Sequence, residues 1–163
     1  GDLTAGHLRA LHPWIPTLQE VLERFGTHLH LMMELKEDPC GHGRIEVLAE
    51  RLTALTAGRD FHVMSFDTAL LDQMSFLPAA ALLPIAGWDV RTSSRWALDR
   101  GCGGLSASQI LLSRRHISRH HRAGQRLGTG FVDSKNVLYR EAARGVDWVF
   151  SNRAGDLVRW QKS

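Results

Sequence analysis

Hydrophobic positions in this chain switch between two periods. From Thr17 to Phe25, Leu18, Val21, Leu22 and Phe25 recur at helical spacing, and the run stops at Gly26, a residue type that commonly ends helices. From Thr27 to Leu35 the period falls to two, which puts His28, His30, Met32 and Glu34 on one side of an extended chain and Leu29, Leu31, Met33 and Leu35 on the other. The switch repeats downstream. Arg44 to Leu55 reads as a helix through Ile45, Leu48, Leu52 and Leu55, Phe61 to Phe66 as a short strand, and Asp67 as the cap of a helix from Thr68 to Phe76. After the apolar run Ala80 to Gly87, the pattern predicts a long helix over Ser106 to Gly124 and a strand over Leu127 to Val132. It then predicts a helix from Lys135 to Arg144 ended by Gly145, a last strand from Val146 to Ser151, and a closing turn or short helix from Asp156 to Trp160. Gly1 to Pro16 reads as a loop-like entry, and Trp88 to Leu105 takes no assignment.

Strands separated by helices of this length predict βα units, because parallel neighbours need a crossover of about a dozen residues. The class is α/β. The pattern holds about five or six units, whereas a closed eight-unit barrel takes about 250 residues. The expectation is therefore one domain over residues 1–163, an incomplete or truncated βα barrel of the TIM type with parallel strands and outer helices. Because the first unit opens with a helix, the first barrel units are the ones expected to be missing.

Composition narrows the class further. Hydrophobic residues make up 44% and charged residues 23%, which excludes a disordered chain. No apolar run approaches the roughly 18 residues of a membrane span and no secretory signal is legible, so a soluble, cytoplasmic protein is expected. Cys40 and Cys102 suggest neither a disulfide framework nor a thiolate zinc site. The formal charge of +3 is carried almost wholly by arginine, Lys36, Lys135 and Lys162 being the only lysines.

Three local signals compete for a function. His28-Leu29-His30 has the spacing of a metal pair on a strand, but both residues open the strand whereas barrel ligands sit at strand ends, so histidines satisfied by backbone groups are the favoured reading. The run Arg114 to Arg122 is the densest basic stretch; a solvated outer helix is favoured over docking to nucleic acid or an acidic membrane surface, since no aromatic residue interrupts it. Gly101-Cys102-Gly103-Gly104 lacks the spacing of a phosphate or dinucleotide loop, and Cys102 reads as structural.

Four stretches, in order, resemble the glycerophosphodiester phosphodiesterase family. They are Leu3-Thr4 through Ile15-Pro16-Thr17-Leu18-Gln19-Glu20-Val21-Leu22, the strand end Met33-Glu34-Leu35-Lys36, Val63-Met64-Ser65-Phe66-Asp67, and Ala142 through Asn152. The match resembles the C-terminal two-thirds of that family's barrel. The resemblance implies hydrolysis of glycerophosphodiesters to an alcohol and glycerol phosphate with Mg²⁺ or Ca²⁺. It implies Glu34 as a metal carboxylate and Lys36 and Asp133 on the phosphate or substrate side. The family's His-Arg-Gly, Pro-Glu-Asn-Thr, Glu-x-Asp and His-Asp motifs do not occur here, so no catalytic residue is expected within the chain and the isolated chain is expected to be inactive. Gly130-Phe131-Val132-Asp133 stands where the family carries a pocket-wall aromatic, which predicts a hole or wider entrance at Gly130. The expected partners are a glycerophosphodiester substrate and, through exposed sheet edges, a second copy of the chain, with no nucleic acid. The alternative from another class is a non-catalytic barrel fragment acting as a binding or self-assembling module.

Overall fold

In the computed structural model, residues 4–36 and 44–161 are described. Six strands form one parallel sheet in chain order: β1 (Leu31–Glu34), β2 (Phe61–Ser65), β3 (Leu82–Ala86), β4 (Gly104–Ser108), β5 (Arg126–Gly130) and β6 (Trp148–Val149). The sheet curls into an incomplete barrel with the helices outside. The helices are α1 (Ala5–Leu11), α2 (Leu18–Phe25), α3 (Arg44–Leu52), α4 (Thr68–Asp72), α5 (Val90–Asp99), α6 (Arg114–Arg122), α7 (Lys135–Arg144) and α8 (Ala154–Gln161).

The period-two reading of β1 decides which side chains enter the barrel. Leu31, Met33 and Leu35 pack outward into the layer made with Leu22, Leu48, Phe61 and Leu71. Met32 turns the other way, onto Met64, Leu83 and Ile85 and against Trp148 and Phe150, and forms the core inside the curl. Each fully buried side chain of the Phe61, Leu71 or Leu83 kind contributes roughly 1.5–3 kcal/mol of burial free energy.

Caps set the helix boundaries. Thr17 and Glu20 close a reciprocal capping box on α2, and Arg9 of α1 holds the same Glu20 carboxylate at 2.7 Å through both terminal nitrogens. Gly26 ends α2 for a reason other than the left-handed turn expected of it, since its φ is −57°. A Cβ there would lie 2.6 Å from the Leu22 carbonyl oxygen and 3.2 Å from Leu55 Cδ2, so close approach selects the glycine. Gly145 does end α7 left-handed, at φ 84°.

Several expectations are corrected. The entry segment is not a loop, because Thr4 caps α1 by accepting the His7 N–H at 3.2 Å. The first strand begins at Leu31 rather than Thr27, as the His28 and Leu29 amides fold back onto the Phe25 carbonyl. The helix expected from Ser106 starts instead at Arg114. Residues 104–108 are taken as a strand by the ladders of β3 and β5, and the helix forms only after Ser113 supplies its cap. The unassigned stretch contains α5, capped by Asp89, whose buried face includes Ser94 between Val90 and Ala97. The last strand shrinks to Trp148–Val149, although the amides of Asp147 and Phe150 still donate to β5 on either side of it.

α6 is more than a solvated basic helix. Its His120 is fully buried, with Nδ1–H donating to Gln125 Oε1 at 2.6 Å and Nε2 accepting from the Ser94 hydroxyl at 2.8 Å. Gln125 in turn donates to the Ala97 carbonyl at 2.7 Å, which ties α5 to α6 through satisfied polar groups. Burial holds the His120 pKa below the usual imidazole range. On α7, fully buried Glu141 accepts from Arg144 at 2.7 Å and from Arg140 at 2.8 Å. The Arg144 guanidinium also donates to the Leu112 and Gln109 carbonyls and locks α7 under the loop after β4.

Candidate functional site

Parallel strands all point their C-terminal ends the same way, so the loops that follow them gather at one end of the curl. A cleft of about 980 Å³ opens there. All six strand ends reach it: Glu34 closes β1 and Lys36 follows it, Phe66 follows β2, Trp88 β3, Ile110 β4, Phe131 β5, and Ser151 with Asn152 β6. Its floor is the inner core at Met32, Met64 and Ile85.

Glu34 and Lys36, the residues the family resemblance singles out, both line this mouth. Lys36 Nζ donates to Glu34 Oε1 at 2.6 Å and stands 5.9 Å from the centre of the Phe66 ring. The pair is open to solvent on the lysine side, which is 71% exposed, and less so on the carboxylate side, at 29%. An ion pair so placed contributes little stability, roughly 0–1 kcal/mol, so the lysine can exchange the carboxylate for an incoming anion at low cost.

Asp133 is placed differently. It does not line the cleft among the described residues; its Oδ1 accepts from the Ser151 hydroxyl at 2.7 Å and from the Asn152 amide at 3.3 Å. Ser151 and Asn152 do line the cleft, and Ala154 brings the first turn of α8 to its edge. Asp133 therefore fixes the loop that forms the wall opposite β1's side chains in chain order. The space expected at Gly130 is there, since Gly130 lines the cleft and a Cβ on it would meet nothing within 4 Å, while Phe131 occupies the rim beside it in a left-handed conformation at φ 63°.

The opposite end of the barrel holds the histidines. His30 Nδ1–H donates to the Arg59 carbonyl at 2.7 Å, and its Nε2 lies 2.8 Å from His62 Nδ1. Trp148 packs on both rings, and Arg126 stands 5.6 Å over Trp148. Burial, followed by the fields of His30 and Arg126, pushes the His62 pKa down to about 4. The favoured reading of His30 as backbone-satisfied thus holds, while His62, its buried partner, carried no periodic signal that singled it out. Cys102 is buried and its thiol pushed up to about 11 by burial, which suits a structural residue; Cys40 lies outside the described residues.

A divalent hard cation takes about six to eight oxygen ligands in the calcium case and octahedral geometry in the magnesium case. Among the described residues Glu34 is the only carboxylate lining the cleft, and no group of three or more His, Cys, Asp or Glu side chains could hold a metal. The residues present do not fit a metal centre on their own. The cleft likewise presents one titratable carboxylate and no histidine, whereas hydrolysis needs separate groups to take and give a proton.

No protein-family model and no curated protein matches the chain. Solved structures do. A crystal structure assigned as a glycerophosphodiester phosphodiesterase from Galdieria sulphuraria superposes at TM-score 0.85 with 19% identity, covering 100% of this chain and 72% of that one. The Thermotoga maritima glycerophosphodiester phosphodiesterase gives 0.76 with 17% identity over 97% of this chain and 70% of its own. A phosphodiesterase from Oleispira antarctica, solved with the product sn-glycerol-3-phosphate, gives 0.74 with 21% identity over 91% of this chain and 62% of its own. At these identities the shared property is the fold: the incomplete barrel seen here is similar to part of the barrel in those enzymes.

Proposed function

We propose that this chain is a member of the glycerophosphodiester phosphodiesterase family and that it recognises a phosphodiester at the mouth of the curl. The observation that carries the reading is the Glu34–Lys36 pair at the end of β1, inside a cleft to which all six strand ends contribute. The product-bound Oleispira antarctica enzyme, similar in fold, supports a glycerol phosphate ligand for the class. In this reading Lys36 leaves Glu34 to meet a phosphoryl oxygen. The first turn of α8, at the cleft edge through Ala154, offers the positive end of its dipole to the same anion. Asp133 acts indirectly, by holding Ser151 and Asn152 in the wall.

Glu34 is the carboxylate on which Mg²⁺ or Ca²⁺ assistance would draw; the other ligands, with the catalytic acid and base, would have to come from outside the described residues. The isolated chain therefore binds its ligand without releasing glycerol phosphate. No helix among the described residues is long and apolar enough to cross a membrane, and the buried thiol of Cys102 is free. Calorimetric titration with sn-glycerol-3-phosphate tests the reading. Replacing a charge-assisted bond worth about 1.5–3 kcal/mol, as in Lys36→Met, weakens binding by roughly ten- to a hundredfold. Equal affinity in the variant would remove Lys36 from the site.

A second reading, a self-assembling module, draws on β1 and β6, which are the edge strands of the sheet among the described residues, and on Leu11, Trp14 and Leu29, which are exposed near the start of the chain. Light scattering that finds only a monomer across concentration would dismiss it.

A further inference from the structure

The outer wall of the barrel carries a second opening, a groove of about 480 Å³ between α6 and the end of α7. Arg114, Ser118 and Arg122 line it in one stripe along α6, each four residues from the next, while Ile117 and Ala143 supply its apolar surface. α6 breaks charge rules that α2, α3 and α8 keep. Those three carry Glu20, Glu46 and Asp156 in their first turns, whereas α6 opens on Arg114 and Arg115 against the positive end of its own dipole and contains no acidic residue. Arg115 and Arg119 add a like-charged pair one turn apart. Proteins keep such local conflicts chiefly where a functional site needs them.

Nothing within the chain offsets that charge. Arg9 holds Glu20, Arg100 holds Asp72 and Arg153 holds Asp156, each within 2.9 Å, but among the described residues no arginine of α6 meets a carboxylate. Arg122 donates to the Ser118 hydroxyl at 3.2 Å and so keeps most of its fork free. The acidic groups nearest the groove are already engaged. Asp147 Oδ2 accepts from His121 and from the Leu127 amide, both at 2.8 Å, and fully buried Glu141 is held by Arg140 and Arg144. The groove therefore presents unspent positive charge on either side of an apolar middle.

We infer that this groove docks an extended acidic segment of a partner protein, one carrying two carboxylates on the same face with an apolar side chain between them. Spacing sets the pattern. Eight helical residues separate Arg114 from Arg122, about 12 Å along the axis. Residues four apart on an extended chain lie about 13 Å apart on one face, and the residue midway shares that face. Acidic residues at the two ends meet the arginines, whose planar forks suit carboxylates, and the middle residue falls on Ile117 and Ala143. A nucleic acid is served less well, because no aromatic side chain lines the groove for bases to stack on. A lone phosphate has no use for the apolar middle, and the groove stands apart from the cleft, so the inference does not rest on the phosphodiester reading.

The test follows amide chemical shifts of the full chain during titration with two end-blocked peptides of equal composition and charge, Glu-Thr-Val-Thr-Glu and Thr-Glu-Val-Glu-Thr. Only the spacing of the carboxylates differs. The first is expected to give saturable shifts around Ser118, Arg122 and Ala143 and to bind about fivefold more tightly than the second, the gain of one exposed ion pair, with both affinities falling as salt is added. Arg114→Gln combined with Arg122→Gln abolishes that preference; both side chains are exposed and hold no carboxylate, so folding does not depend on them. Equal affinity for the two peptides, no saturable shifts on α6, or a preference that survives in the double variant would each overturn the inference. Tripolyphosphate or duplex DNA that binds the same residues more tightly than the first peptide at equal salt would assign the groove to a phosphate polyanion and overturn it as well. Each of these results leaves the binding of sn-glycerol-3-phosphate at Lys36 to be judged by its own titration.

Discussion

Lowering the pH from neutral toward 4 acts on the buried His62 at the end of the barrel opposite the cleft. His62 is 2% exposed, packed edge-on to Trp148 and faced by His30 and by Arg126. Burial is the first cause of its depressed pKa, about 4 against 6.5 for the free side chain, so the folded protein holds His62 neutral where the unfolded chain has already protonated it. The sign follows from linkage. Between those two values the unfolded state binds more protons, so stability is full above about pH 6.5 and declines as the pH falls, levelling off below about 4. A single such group changes unfolding free energy by about 1.4 kcal/mol per pH unit inside the window, roughly 3 kcal/mol in all. His120, buried on α6 with a pKa also lowered, adds in the same direction. Urea melts at closely spaced pH values measure this directly, with His62→Gln as the comparison. The wild-type midpoint falls steadily below pH 6.5, and the variant loses most of that slope even if it is less stable throughout. A variant with the full wild-type slope, or a wild-type midpoint flat from pH 7 to 4, would refute the burial argument.

Other outcomes follow from the same reasoning. Arg144→Met removes the less exposed partner of fully buried Glu141 and lowers stability by about 3–5 kcal/mol in chemical denaturation; a loss below about 1 kcal/mol would mean that Arg140 alone satisfies the carboxylate. Asp133→Ala releases Ser151 and Asn152, so it weakens sn-glycerol-3-phosphate binding while leaving the melting midpoint nearly unchanged; a variant that binds as tightly as wild type would show that the wall needs no such tether. Phe131→Gly relieves a left-handed non-glycine conformation worth roughly 1–2 kcal/mol and offsets the entropy glycine adds to the unfolded chain. Its stability therefore stays within about 1 kcal/mol of wild type, and a larger loss in thermal melting would show that the ring is held by packing.

The sequence is most readable where one physical rule acts alone. The period-two pattern at β1 sorts Met32 and Glu34 from Leu31 and Met33 onto the faces they occupy, and Thr17, Asp67 and Gly145 mark helix ends by local chemistry. It fails where long-range pairing overrides local pattern. Leu105 and Ala107 carry apolar spacing compatible with a helix, yet the ladders of β3 and β5 claim them as strand. α5 was hidden because a serine sits on its buried face, and that serine makes sense only once His120 of α6 is opposite it. At the mouth, Glu34 and Lys36 were legible only through the family resemblance of the strand end they share. The apolar rim was not, because Trp88, Ile110 and Phe131 lie in separate loops with no common period and meet only when the sheet curls.

Amide chemical shifts during a titration with sn-glycerol-3-phosphate test the central claim most directly, since they report where the anion sits. The account predicts saturable shifts confined to the ends of β1 and β6 and the start of α8, around Lys36, Ser151 and Ala154, and their disappearance in Lys36→Met. Shifts centred instead on the arginines of α6, which have no ion-pair partner among the described residues, or no saturable shifts at all, would contradict it.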